Sequence, residues 1–269
     1  MDALNTKWKN WVLQSLLAGQ PANTIAATLN DNGFSPAVIT RLLGANLKQP
    51  VSYRCPSARY QQLMNPAFLR DGCDYQVRAL CDSNDLQLYA IDDFMSPSQC
   101  QEIVALARDK LKPSEIAGAA SATGIRTSTT CDLAFLDDPS VAALNDRIVA
   151  TLKLGVGESE VIQAQHYAPG EYYKPHYDFF PPGSAQFREH CRNRGQRTWT
   201  CMIYLNDNFS GGHTTFTKLG MSVQPKQGMA LLWNNLTSTG EPNVSSIHYA
   251  QPVENGEKMV VTKWFRDVG

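Results

Sequence analysis

The sequence predicts a mixed α+β protein with helices in its first half and a β-sandwich, jelly roll or small barrel in its second. Three observations predict this. Apolar residues recur at helical spacing before residue 45 and again between 96 and 152. Beyond 160 the pattern becomes short apolar or alternating runs divided by Gly and Pro. All five histidines (His166, His176, His190, His213, His248) fall inside that strand-rich half. A chain of 269 residues, 43% hydrophobic, is long enough for one sizeable domain and an appendage.

The elements follow in order. Trp8, Trp11, Val12 and Leu16 mark a first short helix, and Ile25 and Leu29 a second. A third is opened by Ser35 as N-cap with Pro36 at the first helical position, and closed by Gly44. The run 11–17 is interrupted by Gln14 and Ser15, so it reads as an amphipathic helix rather than a secretory signal. This gives a helical segment 1–46, a polar linker 47–72 containing Pro50, Pro56 and Pro66, and a main domain 73–269. Strands are expected at 75–81 and 86–91 around the turn 82–85. Ser96 caps a helix with Ile103, Val104, Leu106 and Leu111 on its apolar face, and a second helix runs over 140–152. Beyond 160 no helix is expected, only strands at 161–168, 172–179, 197–205, 213–217, 229–233, 246–252 and 258–266.

Composition excludes several classes. Twenty-four Lys+Arg against 25 Asp+Glu provide no global attraction to nucleic acid or an anionic membrane. No apolar run reaches the roughly 18 residues a spanning helix needs. Seven cysteines without a CxxC pair favour free thiols in a reducing cytoplasm.

Chemistry concentrates in one stretch. His176 and Asp178 are two residues apart, which on a strand puts an imidazole and a carboxylate on one face. A histidine from a distant strand would complete a 2-His-1-carboxylate set of the kind that holds non-haem Fe(II) with open positions. His248, 72 residues on, is the candidate. Ten residues later Lys258 offers an ammonium suited to the distal carboxylate of a dicarboxylic acid.

Around this set stand Arg126-Thr127-Ser128, Glu160, Tyr167, Gly170, Tyr173, Arg197, Thr200, Gly211-Gly212-His213-Thr214-Thr215-Phe216, Pro225 with Gly228, Gly256-Glu257-Lys258 and Trp264. With these motifs in this order, residues 86–266 resemble the prolyl 4-hydroxylase family of Fe(II)/2-oxoglutarate dioxygenases. The resemblance implies a double-stranded β-helix (jelly-roll) core with supporting helices. It implies His176, Asp178 and His248 as Fe(II) ligands, and Lys258, assisted by Tyr167 and Thr214, as the 2-oxoglutarate site. It further implies O2 as oxidant, ascorbate as an admissible reductant, and succinate and CO2 as products. Tyr173 and Arg197 would lie near the substrate, a proline in a peptide or protein. Hydroxylation of a free amino acid or other small molecule is the alternative, and a non-catalytic binding protein on the same core a third. The four polar groups at 176, 178, 248 and 258 argue against the third.

Some details depart from the pattern. His213 stands where the family more often has Glu, and a rim position is expected for it. Parity places Tyr173 on the strand face opposite His176, so its contribution requires a bend at Pro175. By the same parity His166 faces away from Tyr167, and His190 is expected to be solvated. The loop 181–197, with Arg188, Arg192, Arg194 and Arg197 against Glu189, is long enough to be a lid.

Overall fold

A computed structural model describes residues 5–32, 34, 36–47, 57–69, 74–83, 85–114, 124–154, 159–191, 194–237 and 240–267. The expected N-cap Ser35, the linker prolines Pro50 and Pro56, and Cys55, Cys73 and Arg192 lie outside these residues.

Helices α1 (Thr6–Leu17), α2 (Ala22–Asp31) and α3 (Pro36–Leu43) pack around a core of their own, made by Val12, Ile25, Ala26, Leu29, Phe34, Val38, Ile39 and Leu43. Asn5 caps α1 by accepting from the Trp8 backbone N–H at 3.1 Å.

The stretch expected to be a linker carries structure. Helix α4 (Ser57–Met64) and a 3₁₀ turn at Ala67–Leu69 place Tyr60, Leu63 and Phe68 in the main core. The Trp199 indole N–H donates to the Leu63 carbonyl at 2.6 Å, pinning α4 beneath a strand of the large sheet. The polar composition obscured a short helix that turns Tyr60, Leu63 and Met64 toward the core.

The main fold then runs β1 (Val77–Asp82), β2 (Gln87–Ile91), α5 (Pro97–Arg108), β3 (Lys112–Pro113), β4 (Thr129–Asp132) and α6 (Pro139–Leu152). It continues β5 (Gln163–Tyr167), β6 (Tyr173–His176), α7 (Ala185–His190), β7 (Arg197–Tyr204), β8 (Ser210–Gly211), β9 (Thr214–Phe216) and β10 (Met221–Val223), and ends β11 (Ala230–Asn234), β12 (His248–Ala250), β13 (Val253–Asn255) and β14 (Lys258–Arg266). Ser96 and Gln99 form a reciprocal capping box at the start of α5, beyond the single cap expected there.

An eight-stranded antiparallel sheet has the order β1-β2-β11-β7-β14-β5-β4-β3, and a four-stranded sheet the order β10-β9-β12-β6. Between them lie Tyr167, Met202, Tyr204, Leu231, Trp233 and Val260 from the large sheet and Phe216 and Val223 from the small one. The other face of the large sheet, with Ile203, Leu232, Val261 and Phe265, is covered by Ile103 and Ala107 of α5 and Leu144 and Ile148 of α6. The two-residue period of β14 divides the work. Lys258, Val260, Thr262 and Trp264 line a cavity, while Met259, Val261 and Phe265 pack under the helices. Because both faces are covered, β14 is buried almost throughout and lacks an exposed polar face.

The expectation that helices vanish beyond 160 is corrected by α7. Ser184 accepts from the Phe187 N–H at 3.0 Å and caps this six-residue helix, too short to show a periodic pattern. Its last residue, His190, is not simply solvated: the ring stacks on Phe180 at 5.0 Å between centroids.

Candidate active site

Strands β6 and β12 pair antiparallel, with His248 directly opposite His176. Their imidazole centroids lie 4.3 Å apart, tilted by 57°. Asp178 is not on the same strand as His176, as parity had suggested. β6 ends at His176, and the following turn brings Asp178 Oδ1 to 4.0 Å from His176 Nε2. One ligand atom from each of His176, Asp178 and His248 falls within a 4.8 Å cluster, the only such group of three among the described residues.

The ring orientations are set by backbone. His176 Nδ1 lies 2.8 Å from the Lys174 carbonyl and His248 Nδ1 2.9 Å from the Ser246 carbonyl. A carbonyl only accepts, so each Nδ1 carries the proton of its bond and Nε2 is the nitrogen left to bind a metal. Burial, reinforced by His248, pushes the His176 imidazole down to about 3, so it is neutral at ordinary pH. Burial opposes the charge of Asp178, but the two imidazoles, Arg197 and the Thr200 hydroxyl outweigh it and hold the carboxyl below its usual range.

Tyr173 reaches the site through a bulge at Lys174 and Pro175, where a bend was expected. Ala250 pairs with Tyr173 and His248 with His176, so Lys174 and Pro175 of β6 oppose the single Tyr249 of β12. That extra residue restores the face, and the Tyr173 ring stacks on His176 at 3.5 Å between centroids. Arg126 lies over the other side of Tyr173, 5.0 Å from its centroid.

At the inner end, Lys258 is 1% exposed and donates to the Gly212 carbonyl at 2.6 Å, with the Tyr167 ring 5.2 Å and the Tyr204 ring 5.5 Å from its Nζ. Among the described residues no acidic side chain offsets it, and burial pushes the ammonium down to about 7. Gly212 has φ +61°, and a Cβ there would stand 2.9 Å from Phe209 and 3.3 Å from the Lys258 chain, so glycine is needed for the lysine's path. Thr214, 2% exposed, accepts from the Tyr204 hydroxyl at 2.7 Å.

Arg197 makes a two-pronged ion pair with Glu160 at 2.6 and 2.7 Å, and its guanidinium lies 4.0 Å over Trp264. Glu160 is also 2.7 Å from Arg266 Nε. A cavity of about 480 Å³ joins these groups, lined among others by Arg126, Tyr167, Tyr173, Thr214, Lys258 and Trp264. His213 and His166 do not line it. His213 Nδ1 is 3.5 Å from Ser222 Oγ, and His166 Nε2 is 3.4 Å from Glu257.

The sequence model of the 2OG-Fe(II) oxygenase superfamily matches residues 162–266, the span that holds the three groups of the cluster and Lys258. A putative prolyl 4-hydroxylase of Acanthamoeba polyphaga mimivirus is 32% identical over 180 residues, covering 66% of this chain and 74% of that protein. The chain belongs to the prolyl 4-hydroxylase family. Prolyl 4-hydroxylase subunit alpha-1 of Mus musculus is 35% identical over 182 residues, covering 66% of this chain and 34% of the subunit. The chain thus spans about a third of the length of the animal subunit it matches. A viral collagen prolyl hydroxylase from Paramecium Bursaria Chlorella virus-1, in its 2OG complex, superimposes with a TM-score of 0.50 at 24% identity, covering 69% of this chain and 97% of that one. The shared architecture is the double-stranded β-helix with helices on one face.

The family's Fe(II) and 2-oxoglutarate fit the residues present. Two imidazoles with free Nε2 atoms and one carboxylate form a donor set suited to ferrous iron with positions left open. A buried lysine with no acidic partner among the described residues is suited to receive an anion, which would restore its charged form. The sequence pattern included Arg126 and Thr200 without assigning either a place at the site, and it missed Trp233, Asn235 and Arg266. All are ordinary residues whose relation to the site appears only once distant strands pair.

Proposed function

We propose that this prolyl 4-hydroxylase family member is an Fe(II)- and 2-oxoglutarate-dependent hydroxylase acting on a prolyl residue in a peptide or protein, with release of succinate and CO2. The observation that carries this reading is the convergence of His176, Asp178 and His248 within 4.8 Å in the same cavity as the unpaired Lys258. In this reading His176 Nε2, Asp178 Oδ1 and His248 Nε2 hold the iron. Bound iron supplies the coupling of O2 reduction to decarboxylation of the oxo acid and oxidation of a C–H bond.

The chain's residues bind and orient. Lys258 forms a charge-assisted pair with the distal carboxylate of 2-oxoglutarate, and Tyr167 and Thr214 line the same cavity from the two sheets. Tyr173, fixed against His176, and Arg197, locked by Glu160, form the walls on the substrate side. Ile125 and Val161, 42% and 46% exposed, stand at the cavity mouth as apolar lips for an extended chain. The relatives named prolyl 4-hydroxylase and collagen prolyl hydroxylase support a polypeptide substrate. Five free thiols, at Cys81, Cys100, Cys131, Cys191 and Cys201, support a reducing, cytoplasmic setting. Among the described residues no helix is long and apolar enough to cross a membrane.

Purified protein with Fe(II), 2-oxoglutarate and a set of proline-rich peptides tests the proposal. Succinate release and a peptide heavier by one oxygen are expected from the wild type and from neither His176→Ala nor His248→Ala. Turnover persisting in either variant overturns the ligand assignment.

A further inference from the structure

Behind the metal cluster lies a hydrogen-bonded chain that the ligand set does not include. Thr200, in the middle of β7, donates its hydroxyl to Asp178 Oδ2 at 2.7 Å. The amide of Asn235, just past β11, donates from Nδ2 to Thr200 Oγ1 at 2.8 Å. Thr200 and Asn235 are 0% exposed and Asp178 is 6% exposed.

Only one order of protons fits these contacts. A metal-binding carboxylate accepts and cannot donate, so the single hydroxyl proton must point at Oδ2. The hydroxyl oxygen is then an acceptor and needs a donor behind it, which only the NH2 end of the Asn235 amide can be. Turning that amide over would set oxygen against oxygen. Its own Oδ1 is left without a donor among the described residues, an unfavourable state that the need for a donor at Thr200 explains. Asn235 is itself immobilised, since its backbone N–H donates to the Thr198 carbonyl at 2.6 Å and its carbonyl accepts from Asn243 N–H at 2.8 Å. The relay therefore ends on backbone at a strand end rather than on a free side chain.

We propose that Thr200 and Asn235 are positioning residues for the metal-binding carboxylate: they pin Asp178 Oδ2, so that only Oδ1 is presented beside the two histidine Nε2 atoms. The inference rests on the metal-site reading above and adds to it the means by which the carboxylate is held to one ligating oxygen. Outer partners of this kind typically change metal affinity by about 10- to 100-fold when removed.

The test measures Fe(II) affinity by anaerobic equilibrium dialysis and the visible absorption of the Co(II)-substituted protein, neither of which requires turnover. Thr200→Val keeps the shape and removes the hydroxyl. It is expected to weaken Fe(II) binding by about 10- to 100-fold and to alter the Co(II) spectrum. Thr200→Ser is expected to restore both. Asn235→Leu, which leaves the hydroxyl in place but unanchored, is expected to weaken binding in the same direction by a smaller factor, and it carries the test if Thr200→Val does not fold. Wild-type affinity and spectrum in both Thr200→Val and Asn235→Leu, or no recovery in Thr200→Ser, overturn the relay. His176→Ala run alongside separates the two levels. A wild type that binds Fe(II) no better than His176→Ala overturns the metal site itself, and the relay with it.

Discussion

At the scale of single residues, Lys258 has the sharpest consequence. In the folded protein without 2-oxoglutarate its burial moves the ammonium down to about 7 from 10.5, so it loses its proton as pH rises through 7. The unfolded chain keeps that proton up to the ordinary lysine range. Between these values the unfolded state binds more protons, and stability of the ligand-free protein should therefore rise with pH in that window. A bound dicarboxylate restores the charged form. At pH 8, anaerobic binding of 2-oxoglutarate to the metal-loaded protein should take up close to one proton, and affinity should fall as pH rises further. Calorimetry in two buffers of different ionisation enthalpy measures this, and zero uptake contradicts it.

The histidines, Asp178 and Lys258 were legible in sequence because their residue types and order are themselves the signal. Strict parity misplaces Tyr173, since one bulged residue shifts the register, and Pro175 within the bulge is its local mark. Thr200 stood among the motif residues of the family resemblance without a role of its own, and Asn235 carried no signal at all. Their contacts span 22 and 35 positions of the chain, and a threonine in a strand or an asparagine after one is unremarkable until the sheet forms.

At the scale of elements, α4 and α7 were the two helices not anticipated, both short and both bounded by polar sequence. The first is part of the fold rather than a covering strap. Leu63 is 0% exposed in the main core, and Leu63→Ala should cost about 2–5 kcal/mol. Urea unfolding measures that loss, and a loss near zero would return the segment to the status of a linker.

Helix α7 is tied to the substrate side of the cavity by one guanidinium. Arg266 Nη1 donates to the Gly195 carbonyl at 2.7 Å and to the His190 carbonyl at 3.3 Å, while its Nε faces Glu160, the partner of Arg197. The Phe180 ring packs against both guanidiniums, 4.8 Å from the Arg197 and 5.1 Å from the Arg266 guanidinium carbon. Arg266→Met should raise the KM for peptide and speed amide exchange across 187–191, with the KM for 2-oxoglutarate unchanged. Equal rises in both KM values would place the effect at the metal end instead.

At the scale of the whole molecule, the chain contains a three-helix core and a two-sheet core whose buried clusters share no residue. The broad class was legible because covering a sheet on both faces leaves near-continuous apolar strands, and packing helices around a small core leaves an amphipathic stripe. The order of strands was not, because antiparallel partners such as β2 and β11 are separated by most of the domain. A bundle of this size has little buried area to hold it closed. Amides of α1–α3 should therefore exchange faster than those of β14, whose ladders run to both β7 and β5. Hydrogen exchange followed by mass spectrometry checks this, and equal protection would mean that the two cores unfold as one.

The central claim is that His176, Asp178, His248 and Lys258 together support 2-oxoglutarate-coupled hydroxylation of a prolyl residue. Its most direct test is incubation of the wild type with Fe(II), 2-oxoglutarate, isotopically labelled O2 and a proline-rich peptide, read by mass spectrometry of both products. The account predicts one labelled oxygen on a prolyl residue and one in succinate, with neither in His176→Ala. Labelled oxygen in the peptide from His176→Ala, or hydroxylation by the wild type without consumption of 2-oxoglutarate, would contradict it.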